Sequence, residues 1–158
     1  MFQDMPAPGE EEIREILGEF MSLEGPLLPM LHALQDTYGH VPDSAVPVLA
    51  EMLNLGRAEI HGVISFYHDF RERPAGRHVL KLCRAEACQS MGADGQNRDL
   101  LNKLGIDWNQ TTADGALTVE PVYCLGLCAC APAAMLDGRL VARLDQAGID
   151  TLLSEART

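Results

Sequence analysis

The sequence predicts an α/β (α+β) chain in two parts: a bundle of short helices over residues 10–70, then a small mixed sheet with helices packed on it over 78–158. Three observations predict it. Apolar residues recur at spacings of three and four as far as Tyr67. Short apolar runs bounded by turn residues take over from His78. Between the two patterns lies the polar stretch RERPAGR, 71–77, which reads as a linker.

Each element has its own signal. Residues 1–9 show little periodicity and are expected to be mobile. Glu10, Glu11 and Glu12 place negative charge at a helix start, and Ile13, Ile16, Leu17, Phe20 and Met21 follow at helical spacing. Gly25-Pro26 restarts the chain, and Leu27, Leu28, Leu31 and Leu34 line a second helix that Gly39 stops. Pro42 and Pro47 open a third over VPDSAVPVLAEML, and Ile60, Val63, Ile64, Phe66 and Tyr67 are spaced for the apolar face of a fourth. Past the linker, HVLKL and ALTVEPV read as strands, and Asp137-Gly138 between AAML and RLVARL marks a two-residue hairpin. A helix between the first two strands ends near Leu104-Gly105, with Leu100, Leu101 and Leu104 as its stripe despite Gly95 and Asn97 inside it. A last helix over 145–156 turns Ile149, Leu152 and Leu153 inward.

With 158 residues the chain buries roughly two thirds of its unfolded surface, so it needs no metal in order to fold. Twelve basic against 23 acidic residues give a net charge of −11, which repels phosphate backbones and anionic lipid and speaks against nucleic acid as a partner. The first residues lack the positive charge and apolar core of an export signal. The uncharged stretch 121–135 is too short to cross a bilayer as a helix and is interrupted by Pro and Gly. A cytoplasmic chain without membrane insertion is expected. Five cysteines, an odd number, then argue against a disulfide framework and for metal or redox chemistry.

Cys83 and Cys88 frame CRAEAC at the end of the first strand, and Cys124 and Cys128 frame CLGLC just after a later one. Adjacent strands can bring both loops to one end of a sheet, where four thiolates meet. Four soft sulfur ligands suit zinc or an iron-sulfur cluster. The paired Cys-x-x-Cys turns of a zinc ribbon are absent, whereas a four-residue gap is the first spacing of plant-type 2Fe-2S ferredoxins. Spacing favours 2Fe-2S; a zinc-stabilised interaction module and a thiol oxidoreductase are the other readings, the latter lacking Cys-x-x-Cys at a helix start. Gly126, Ala85, Ala87 and Ala129 are small enough to let backbone N–H groups approach the sulfurs. Cys130, two residues past Cys128 in an apolar run, reads as a buried bystander.

CRAEACQSMGADG, then TTADGALTVEPVYCLGLCACAPAAMLDG, with LLPMLHALQDTYGHVPDSAVPVLAEMLNLGRAEIHGVISFYHDF upstream, resembles the thioredoxin-like 2Fe-2S subunit family of NADH-dehydrogenase-type complexes. The resemblance runs from about Pro26 to the C-terminus and includes all four cysteine positions. Through CRAEACQSMGA and EPVYCLG it leans toward the gamma subunits of NAD-dependent, molybdenum-containing formate dehydrogenases. It implies one 2Fe-2S cluster on Cys83, Cys88, Cys124 and Cys128, in a thioredoxin-like domain that transfers electrons and has no catalytic residues of its own. It also implies a flavoprotein partner binding FMN and NAD, and a large catalytic subunit carrying the molybdenum cofactor and further iron-sulfur clusters. The matching subunits of NADH:quinone oxidoreductase and of NAD-reducing hydrogenase are the sister readings. Two positions depart from the family: Ala129, where many members have Gly, and Cys130, where they usually carry an apolar residue. Both concern the hydrogen bonding around the cluster and leave the four ligands in place.

His32, His40, His61, His68 and His78 fall at irregular intervals without a His-x-x-x-His pair and are not taken as ligands. Phe66, Tyr67 and Phe70 cannot all face one way on a helix, so GVISFYHDF divides between core and interface. The resemblance implies that this helical half packs against the flavoprotein. The run Glu10, Glu11, Glu12, Glu15 reads as a solvated helix start. No Gly-rich phosphate loop follows a strand and no Ser, His and Asp set forms a motif, so no site for NAD, FMN or formate is legible here.

Overall fold

The computed structural model describes residues 8–157. Of the stretch 1–9 expected to be mobile, residues 1–7 lie outside that range, as does Thr158, while the Gly9 carbonyl already accepts from Ile13 N at 3.1 Å. The chain divides into two compact units between Ala75 and Gly76.

The first unit is four helices: α1 (Glu10–Gly18), α2 (Leu27–Tyr38), α3 (Ala45–Leu53) and α4 (Arg57–Phe66). Local chemistry sets their ends. Gly39, at φ 74°, stops α2 and donates its N–H to Gln35 O at 2.7 Å, while Glu59 reaches back to Gly56 N at 2.7 Å and closes the start of α4. Ile13 and Leu17 of α1, Leu31 and Leu34 of α2, Leu49 of α3 and Ile60 of α4 are fully buried, each contributing about 1.5–3 kcal/mol. On the first two helices, two residues expected on the apolar faces are exposed instead. α1 ends at Gly18 and leaves Met21 in the turn beyond it, and the buried side of α2 runs through Met30, Leu31, Leu34 and Tyr38, which turns Leu28 outward. The Tyr38 hydroxyl donates to Glu12 Oε1 at 2.8 Å; burial, helped by that bond, pushes its phenol up to about 12. The aromatic motif divides: Phe70 is buried against His32, whereas Phe66 is 71% and Tyr67 44% exposed.

The second unit is a five-stranded mixed sheet with three helices. Its strands are β1 (His78–Cys83), β2 (Gln110–Thr111), β3 (Leu117–Val122), β4 (Ala133–Leu136) and β5 (Arg139–Ala142), in the order β2-β3-β1-β4-β5. β1 and β3 are parallel and the other neighbours antiparallel. Alternation sends Leu80 and Leu82 to one face, where they meet Leu117 and Val119 of β3, Leu136 of β4, and helix residues Leu100, Leu101, Ile149 and Leu152.

The hairpin forms where the sequence places it, with Asp137 at φ 48° and Gly138 at φ 84°, both in the left-handed region that such a tight turn demands. The last helix, α7 (Gln146–Glu155), starts with Asp145 Oδ1 accepting from Gly148 N at 2.8 Å. Two details differ from expectation. The single helix between the first strands is two, α5 (Glu86–Ser90) and α6 (Ala93–Leu104), because Gly92 at φ 87° breaks the run. β2 is an additional strand of two residues, tied to β3 through the Thr111 and Thr118 hydroxyls 2.7 Å apart. A strand that short has no alternation to read.

Candidate metal centre

The parallel pairing of β1 and β3 builds the site. Two parallel neighbours end at the same edge of a sheet, and here Cys83, the last residue of β1, stands level with Val122, the last of β3. Arg84 N extends the ladder one step by donating to Val122 O at 2.8 Å. Cys83 and Cys124 therefore leave the sheet side by side. Cys88 lies inside α5 rather than in open loop, and Cys128 opens a 3-10 turn, Cys128–Cys130.

The four thiols form two unlike pairs. Cys83 and Cys88 are buried together with Ala93 and Ala133, against Ala85, Val122, Leu125, Leu127 and Ala131. Cys124 and Cys128 are exposed, with their sulfurs 3.6 Å apart. Burial pushes the Cys88 thiol up, and the Cys83 thiol bonded to it adds to the effect. Cys124 is held below the usual thiol range by the Gly126 N–H, which donates to its Sγ at 3.3 Å, and next by Cys128. Cys128 is pushed up by Cys124 and, more weakly, by Cys83, so the two pairs sense one another.

Backbone geometry marks the same loop. Cys124 has a φ of 142° and Gly126 a φ of 76°, and positive values at non-glycine residues concentrate at sites that the surrounding structure holds in place. The sequence reading makes Gly126 a spacer. A Cβ built there meets nothing within 4 Å, so the requirement is conformational: only glycine takes that φ freely, and the turn it makes aims its N–H at sulfur.

Cys130 departs from its expected burial and is half-exposed. With three residues to a 3-10 turn, Cys130 lies about a third of a turn round from Cys128 and off its face. Its backbone holds the loop, with Cys130 N donating to Leu127 O at 2.8 Å and its carbonyl accepting from Arg143 N at 2.7 Å. The peptide bond between Ala131 and Pro132, just beyond, is cis. Three of the five histidines have partners elsewhere: His32 on Phe70, His40 Nδ1 at 3.0 Å from Tyr38 O, and His78 Nδ1 at 2.7 Å from Asp137 Oδ2. The sequence did not single out Met91, 60% exposed after α5, or Tyr123, 69% exposed beside Cys124, which leave apolar surface next to the thiols.

As a donor set, four sulfurs without nitrogen or oxygen ligands suit soft metals. Among the described residues no three His, Cys, Asp or Glu side chains converge closely enough for one metal ion. The two thiol pairs at one sheet edge are the donors that would hold an iron-sulfur group there.

Residues 13–157 match the thioredoxin-like 2Fe-2S ferredoxin family. The chain belongs to that family. Its fold is accordingly the thioredoxin-like 2Fe-2S fold, and the resemblance noted in the cysteine motifs holds at this level. Among relatives, an NADH-quinone oxidoreductase subunit from Pseudomonas aeruginosa is 37% identical over 131 residues, which cover 81% of this chain and 79% of that protein. The NADP-reducing hydrogenase subunit HndA of Solidesulfovibrio fructosivorans is 28% identical over 151 residues, 96% of this chain and 88% of that protein. A crystal structure of NAD+-reducing NiFe hydrogenase in the air-oxidised state superposes with a TM-score of 0.67 at 31% identity over 80% of this chain. This family member spans only 22% of that longer hydrogenase chain. No helix among its described residues is long and apolar enough to cross a membrane.

Proposed function

We propose that this chain is an electron-transfer subunit in which Cys83, Cys88, Cys124 and Cys128 hold one 2Fe-2S cluster beside the FMN of a flavoprotein subunit that also binds NAD. The observation that carries it is the arrival of two thiol pairs at one edge of the sheet, from adjacent parallel strands. When bound, such a cluster accepts and releases single electrons. The residues of this chain do the rest: the alanine-lined pocket excludes water from Cys83 and Cys88, and the Gly126 N–H donates to the Cys124 sulfur. Tyr123, next to the exposed Cys124, offers apolar surface where a flavoprotein would approach. The chain supplies no catalytic group of its own.

The complex we assign is an NAD-dependent formate dehydrogenase, in the cytoplasm, whose large subunit carries molybdenum and further iron-sulfur clusters. There formate gives up two electrons and a proton, leaving CO2, and NAD+ takes them up as NADH. The motifs CRAEACQSMGA and EPVYCLG support this assignment. The names of the relatives favour a second reading, the equivalent subunit of an NADH:quinone oxidoreductase or of an NAD-linked hydrogenase.

Anaerobic purification tests the cluster: a red-brown protein with about two irons and two acid-labile sulfides per chain is expected. A colourless protein carrying one zinc would overturn it and leave a zinc-stabilised interaction module. Affinity capture from native extract then decides the complex, since a molybdenum subunit with formate:NAD+ activity is expected and a quinone-reducing or hydrogen-oxidising assembly favours the second reading.

A further inference from the structure

Arg84 follows the first thiol, and its backbone N–H, its carbonyl and its guanidinium each have a neighbour from another part of the fold. Its N–H donates to Val122 O at 2.8 Å, its carbonyl accepts from Gln89 Nε2 at 2.8 Å, and its guanidinium lies 5.1 Å from the centre of the Trp108 ring. Arg84 Nε is also 4.0 Å from Asp94 Oδ1, at the start of α6. These partners come from four places: the end of β3, α5, α6 and the segment before β2. Trp108 is the only tryptophan in the chain. Asp94 follows Ala93, which is buried against Cys83 and Cys88.

We propose that Arg84 is a positioning residue: clasped between Trp108 and Asp94, it fixes the loop from Cys83 to Cys88, so that the buried thiol pair keeps its spacing when metal is bound. The inference rests on the assignment of those two cysteines as ligands. The physical need is plain. Cys83 is held by the sheet, but Cys88 sits in a helix of five residues, too short to be stable alone. The residues joining them can keep register only if something outside the loop holds it. A partly exposed cation near both an indole ring and a carboxylate does so without a fully buried charge, and the planar guanidinium can stack and pair at once.

The test uses the full-length protein reconstituted with iron and sulfide, as Arg84→Gln, Arg84→Lys, Trp108→Leu and the Arg84→Gln/Trp108→Leu double variant. Three readouts are followed: loss of visible absorbance to an excess of iron chelator, the electron paramagnetic resonance spectrum after reduction, and Trp108 emission in the metal-free protein. Arg84→Gln and Trp108→Leu should each lose the cluster about two- to five-fold faster, the equivalent of a partly exposed cation–π contact. The double variant should be no faster than the quicker single one, because both changes break one contact. Arg84→Lys should recover part of the retention, and Arg84→Gln should change both the resonance spectrum and the Trp108 emission of the metal-free protein. Wild-type retention in both single variants, or additive acceleration in the double, overturns the clasp. If the wild type takes up no iron, the ligand assignment fails instead, and the Trp108 emission still shows whether Arg84 holds the ring.

Discussion

Cys124 is the most unusual residue of the site, exposed at a φ of 142° with a backbone N–H aimed at its sulfur. Such a backbone costs on the order of 1–3 kcal/mol and persists where a loop is held for a task. Its neighbour Cys130 shows neither feature. Replacing Cys83, Cys88, Cys124 or Cys128 with Ser should each abolish stable cluster absorbance, while Cys130→Ser should keep iron and sulfide at wild-type levels; retention in any of the first four, or loss in the fifth, revises the ligand set. In the first unit, Tyr38 supplies a pH-dependent contact. Its folded value of about 12 lies above the usual tyrosine value of about 10, so the proton is held more tightly in the folded state. The contribution is complete below about pH 10 and fades as pH rises toward 12. Urea unfolding should show Tyr38→Phe to be about 2 kcal/mol less stable than wild type at pH 9, the worth of a hydrogen bond to a charged group, with the gap closing between pH 10 and 12.

Elements were legible wherever their signals are local. The hairpin follows from Asp137-Gly138, because few residues other than glycine and aspartate enter the left-handed region cheaply, and α2 ends where Gly39 says it should. α6 formed against a poor local pattern. Gly95 lies within it, and Asn97 is 5% exposed with Nδ2 the only buried side-chain nitrogen or oxygen among the described residues without a partner. Packing of Leu100 and Leu101 on the sheet outweighs those local penalties. The break between α5 and α6 was not legible, since Gly92 could as well have sat inside one longer helix. Its φ of 87° and the open space around its Cβ position make the demand one of backbone conformation alone. Gly92→Ala should therefore lower unfolding stability in urea by about 1–2 kcal/mol, with no overpacking to relieve. An unchanged midpoint would show that alanine is tolerated there.

At the scale of the molecule, each unit has its own buried cluster, one built on Leu31, Leu34, Leu49 and Ile60, the other on Leu80, Leu82, Val119 and Ile149. All four cysteines assigned as ligands lie in the second unit, as do the partners of Arg84. A fragment beginning at Gly76 should consequently unfold cooperatively in urea and take up iron and sulfide like the full chain. A fragment that stays unfolded would show that its core is too small to stand without the helical unit.

By itself the sequence determined the helical and strand halves, the hairpin turn and the spacing of the two cysteine pairs, because periodicity, turn chemistry and spacing are all written within a few residues. The tertiary structure alone decided that β1 and β3 are parallel neighbours, that Cys83 and Cys88 are buried while Cys124 and Cys128 face outward, and that Arg84 meets Trp108. The physical reason is range. Strand order, burial and a stacked pair depend on residues more than twenty positions apart meeting in one core, and no local pattern encodes which of them will meet.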